Sequence, residues 1–148
     1  MGFSIKRAVA ILQEETAFQR LPKPITVGEY TGMVLKAIKR LYTDTGRALI
    51  YDSANYHSDE EDNEWLVYNE DLAIDEEEYV LLCAQINFFK RVQADANNLV
   101  SYSTDAMKVT GADKPYANIR NTLEELEKRR RELYYRMPRY TMDYEIAD

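Results

Sequence analysis

From Tyr79 to Val100, apolar residues return every three or four positions: Tyr79, Leu82, Cys83, Ile86, Phe89, Val92, Ala96, Leu99 and Val100. A period of that kind, held for about six turns, fits an α-helix and no strand. An isolated helix gains little from its own propensity, so such a stripe calls for other elements to cover it. Its start is well marked. Asp75 suits the N-cap, and Glu76, Glu77 and Glu78 place carboxylates where the helix dipole favours them. This segment is therefore read as the central core helix, and the rest of the chain has to pack around it.

Three further helices are expected. Ile5, Val9, Leu12 and Phe18 space a first one over 4–19, which Pro22 and Pro24 stop. Thr26 and Glu29 form a capping box for a second, striped by Val27, Tyr30, Val34, Ile38, Leu41 and Tyr42 and closed at Gly46. Pro115, preceded by Asp113 or Lys114 as cap, suits the first position of a fourth. Tyr116, Ile119, Leu123, Leu126 and Leu133 carry that helix to about Met137, before Pro138 ends it. Between the third and fourth, residues 101–112 change character. Tyr102, Thr104, Met107 and Val109 suit extended structure, and Asp105 and Gly111 suit turns, so a short β-excursion is expected.

The fold class that follows is mainly α: a small bundle of about four helices, the β-excursion at 101–112, a long acidic loop at 47–74 with room for short strands, and an extended C-terminal arm. Residues 1–137 read as one helical domain and 138–148 as the arm. A chain of 148 residues is long enough to hold one core without disulfides. The start of the chain lacks the pattern of a signal peptide or a myristoylation site, and no apolar run reaches the ~18 residues of a bilayer span, so a soluble protein without membrane contact is expected.

Net charge is −7, and its distribution says more than its size. Residues 1–47 carry eight bases and four acids, residues 48–89 twelve acids and no base, and residues 90–148 eleven bases and ten acids. General affinity for a nucleic-acid backbone calls for a basic face, so simple DNA binding is not expected of the whole molecule. The run Asp59, Glu60, Glu61, Asp62 and Glu64 repels itself too strongly to pack. It lacks the glycine and ligand spacing of a calcium loop, so no metal site is assigned.

Catalytic chemistry is not assembled either. His57 is the only histidine and sits among polar residues, while Cys83, the only thiol, falls on the apolar stripe and reads as a buried structural residue. No phosphate-binding glycine loop or nucleophile elbow occurs, so neither an enzyme nor a cofactor is expected. Two features call for a partner instead. Residues 128–139 hold six bases, one acid and two adjacent tyrosines. The dipole accounts for part of this, but Arg129, Arg130 and Arg131 spread over too wide an arc for one solvated face. Arginine and tyrosine are residues enriched in interface hot spots, which makes Arg129, Arg130, Arg131, Tyr134, Tyr135, Arg136 and Arg139 docking candidates. The tail adds Tyr140, Met142, Tyr144 and Ile146, a composition unlike that of permanently disordered chain.

Three stretches together resemble a known family: TVGEYTGMVLKAIKRLY over 26–42, YVLLCAQINFFKRVQ over 79–93, and SYSTDAMKVTGADKPY over 101–116. Their order is similar to that in the head–tail connector (adaptor, or neck) proteins of tailed bacteriophages, over roughly residues 26–137. The first helix and the acidic loop have no counterpart in the resemblance. It implies a structural virion protein, made in the host cytoplasm and placed at the head–tail junction. There it would form a dodecameric ring beneath the portal, join the portal to the next neck or tail protein, and let DNA pass without specific binding. It further implies that residues 128–148 dock on the portal. Asp59, Glu60, Glu61, Asp62 and Glu64 would then serve assembly or line the channel, since an acidic lumen does not grip phosphates. The alternative reading is an acidic, non-catalytic regulator that binds a basic protein groove by mimicking DNA.

Overall fold

A computed structural model describes residues 3–47, 67–68, 72–106 and 118–140, with backbone alone for 67–68 and 99–106. The described residues are mainly helical. In chain order they form β1 (Phe3–Ser4), α1 (Ile5–Glu15), α2 (Val27–Thr45), β2 (Val67–Tyr68), α3 (Ile74–Ala106) and α4 (Ile119–Arg136). The strands pair antiparallel, Phe3 opposite Tyr68 and Ser4 opposite Val67. β2 thus falls inside the 47–74 segment, which has room for such short strands.

Local chemistry sets most helix ends. Ser4 caps α1, its Oγ accepting from the Arg7 N–H at 3.2 Å. At Thr26 the expected capping box is complete: Oγ1 accepts from the Glu29 N–H at 3.2 Å, and the Glu29 carboxylate accepts from the Thr26 N–H at 3.3 Å. Gly46 ends α2 with φ at 80°, and its N–H donates to the Tyr42 carbonyl. That glycine has a second reason to be there. A Cβ would run into the Tyr140 carbonyl, because the chain leaving α4 crosses over this turn.

Three expectations need correction. α1 ends at Glu15 rather than 19, and Phe18 is fully exposed instead of continuing the stripe. The Thr16 N–H and Oγ1 both turn back onto the Leu12 carbonyl, closing the helix early. α3 begins at Ile74, so Asp75 is not its cap. Ala73 precedes the first turn, and the Glu76 carboxylate accepts from the Ala73 N–H at 3.0 Å, the returning half of a capping box. α3 also runs on through residues 101–106, in place of the expected β-excursion. Extending a formed helix is cheap, and no glycine or proline interrupts it before Gly111. Residues 107–112, and the Pro115 start proposed for α4, lie outside the described residues. Within them α4 starts after Asn118, whose side chain makes no capping bond.

Tyr79–Asp44, Asn87–Met33 and Arg91–Glu29 contacts run in opposite sense along the two chains, so α2 and α3 are antiparallel. α4 packs along the other side of α3, and α1 packs on α2 and α3. Between these neighbours α3 is enclosed all round over residues 79–89, none of which is exposed. Its core therefore includes Val80, Ala84 and Phe88 as well as Tyr79, Leu82, Cys83 and Ile86. Phe88, fully buried, stacks on Tyr30 of α2 with centroids 6.0 Å apart, while the expected Phe89 is only partly buried. Full burial of such a side chain contributes about 1.5–3 kcal/mol, which makes this helix the main source of cohesion.

Candidate interaction surfaces

A polar cluster ties three helices at the α3 N-terminal end. Asp44, in the last turn of α2, accepts from Arg40 Nε at 2.7 Å and from the Tyr79 hydroxyl. Arg130 of α4 reaches the same carboxylate at 3.5 Å, donates to the Tyr79 oxygen at 2.9 Å and pairs with Glu127 at 2.9 Å. Burial, then the bond to Asp44, pushes the Tyr79 hydroxyl far above its ordinary pKa. Burial opposes the charge of Arg130, but bonds to Glu127 and Tyr79 outweigh it and hold the guanidinium ionised. Cys83 lies beside this cluster with its thiol pushed up to about 12 by burial, so it stays protonated. A second polar tie, Arg91 of α3 with Glu29 of α2 and Asp95, joins the other end; hydrogen bonding to Arg91 holds Glu29 below the usual carboxylate range.

The three consecutive arginines part company here. Arg130 points inward with 11% of its side chain exposed and is held by Asp44, Tyr79 and Glu127. Arg129 is exposed on the side near Glu15 of α1, whose carboxyl is raised by burial and partly held down by that arginine. It shares a shallow groove with Glu78, Leu82, Glu132, Leu133 and Arg136. Arg131 is exposed on the opposite flank, in a groove between α3 and α4. Successive helical residues lie about 100° apart, which is why one run of sequence serves three directions.

The end of α4 is finished by its own residues. Arg139 donates to the Tyr134 carbonyl at 2.6 Å and the Met137 carbonyl at 2.7 Å, and lies 3.6 Å from the Tyr134 ring centroid. A cation there satisfies last-turn carbonyls and complements the dipole. Tyr140 then donates its N–H to the Thr45 carbonyl at 2.6 Å and receives Arg47 over its ring. Of the expected docking residues, Arg130, Tyr134, Arg139 and Tyr140 are thus engaged within the molecule. Arg129, Arg131, Tyr135 and Arg136 remain outward, Tyr135 being 78% exposed. The arm leaves from Tyr140, which is in fixed contact with the end of α2. Met142, Tyr144 and Ile146 lie outside the described residues, as do His57, Asp59, Glu60, Glu61, Asp62 and Glu64.

Sequence reasoning missed Asp44, Tyr79 as a polar residue, and Glu76. Two signals were available. An acid in the last turn of a helix faces an unfavourable dipole and needs a cation, and a tyrosine on a core stripe needs a partner for its hydroxyl. Glu76 is 2% exposed, with Arg47 at 3.8 Å. Among the described residues no group of three side chains is placed to hold a metal ion, and no helix is long and apolar enough to cross a membrane. No protein-family model, curated protein or solved structure matches this chain.

Proposed function

We propose that the chain is a non-catalytic structural subunit of the head–tail connector kind, closing into a ring that joins a portal to the next neck component and continues the channel for DNA. The observation that carries this reading is the outward end of α4. Arg131, Tyr135 and Arg136 stand in solvent there, on a helix whose inner side is fixed to α2 and α3 through Arg130. Tyrosine and arginine on a rigid element lose little freedom when they dock, which suits an assembly surface. The sequence resemblance over residues 26–137 suggests the kind of assembly, and charge blocks separated along the sequence suit the two unlike side surfaces that a closed ring needs.

Co-expression with a portal protein, followed by native mass spectrometry, tests the reading. A stable complex with several copies of this chain per portal ring is the expected result. A chain that stays monomeric beside an assembled portal contradicts it, and recovery with a DNA-binding protein that duplex DNA displaces would point to DNA mimicry.

A further inference from the structure

Two grooves flank α3, and they share Lys90. One, between α3 and α4, is lined by Lys90, Arg120, Leu123, Glu124, Glu127 and Arg131. The other, between α2 and α3, is lined by Glu29, Gly32, Lys36, Asn87, Lys90 and Arg91. Their acids are committed: Glu29 to Arg91, Glu124 to Arg120 at 3.4 Å, and Glu127 to Arg130. Lys36, Lys90 and Arg131 form no ion pair with another described residue, which leaves a cationic band across three helices.

We propose that this band receives the acidic run Asp59–Glu64 of a second copy of the chain. The proposal rests on the connector reading and deepens it by naming the subunit contact. Charge is complementary: the run carries five carboxylates in six residues, within a block that has no base. Geometry favours a neighbour over the same chain. The run is tethered at Val67, paired with Ser4 beside α1, whose Arg7 meets Glu77 at the start of α3. Lys90 lies about 20 Å further along α3 at about 1.5 Å per residue. Glu64 can extend about 10 Å from Val67 and Asp62 about 17 Å, so although Asp59, at about 27 Å, can reach Lys90, the run as a whole cannot seat along the band of its own chain. A run tethered through Val67 and received on another copy's flank would make contact between two unlike surfaces, the heterologous kind that propagates around a ring.

The test uses full-length protein and a fluorescein-labelled peptide of residues 57–66, with anisotropy read at low and high salt. Saturable binding that weakens at least about tenfold in K36Q/K90Q, which leaves Arg131 and the outward end of α4 untouched, with unchanged circular dichroism, is expected, along with loss at high salt. Equal binding to that variant, or none to the wild type, overturns the proposal. Binding to D59K/E60K/E61K but not to the wild type would show the run seated in its own chain, which also overturns it. In native mass spectrometry, K36E/K90E and D59K/E60K/E61K should each fail to self-associate and should pair when mixed. A groove variant that still rings on a portal removes this contact and leaves the connector reading standing; groove binding of the peptide with no portal complex does the reverse.

Discussion

Arg130 and Arg131 are adjacent, alike in chemistry and opposite in consequence. Truncating Arg130 would leave the Asp44 carboxylate and the Tyr79 hydroxyl short of a donor in a largely enclosed site. Arg130→Ala should therefore lower unfolding free energy by about 2–3 kcal/mol, the cost of an uncompensated buried group. Arg131→Ala should stay within about 0.5 kcal/mol, as surface changes do. Urea titrations of the two variants make the comparison, and equal losses would contradict the inward placement of Arg130. Cys83 adds a pH dependence. Its thiol ionises near 9.0 when unfolded and is pushed to about 12 by burial when folded. A raised pKa gives stability that is complete below the unfolded value and is lost as pH climbs toward the folded one. Melting temperature should accordingly fall from about pH 9 upward, and Cys83→Ala should remove the part of the fall that begins first, leaving the later part due to Tyr79, whose ordinary value is 10.0. Identical profiles for the two proteins would contradict the burial of the thiol.

At the scale of elements, helix ends depend on chemistry within four residues, and that is where the sequence was most readable. Thr26, Glu29 and Gly46 do what their residue types imply. Thr26→Ala removes one acceptor from the α2 amino end and should cost about 1 kcal/mol by chemical denaturation, whereas Thr26→Ser should cost far less. What was not readable was how many neighbours a helix would have. The Tyr79–Val100 stripe identified α3, but Val80, Ala84 and Phe88 lie between its apolar positions and became core only because α2 and α4 enclose the helix from two sides. Phe18 shows the converse: its spacing fitted α1, yet Thr16 had already turned the backbone back on Leu12. The orientation of the expected docking residues was half legible for the same reason. Composition marked 128–139 as unusual, but which arginine faces inward depends on the rotation of α4 against Tyr79 and Asp44, and these are distant in sequence.

On the scale of the whole molecule, the place where the body ends and the arm begins becomes a testable boundary. The sequence put it at Pro138, but Arg139 caps α4 and Tyr140 bonds to Thr45 over Gly46, so the body extends through Tyr140. Two truncations three residues apart should then behave differently. Removing 141–148 leaves every one of those contacts in place, so circular dichroism and melting temperature should match the full chain, while the portal binding proposed above should be lost. Removing 138–148 takes away two hydrogen bonds to last-turn carbonyls, the stacked guanidinium on Tyr134 and the cover over Gly46. At roughly 0.5–1.5 kcal/mol for each hydrogen bond, it should lower stability measurably as well as abolish binding. If both truncations melt alike, the Tyr140 crossing contributes nothing and the boundary returns to Pro138. If the shorter deletion keeps full portal affinity, Met142, Tyr144 and Ile146 are not the docking residues, and the outward end of α4 must carry the contact alone.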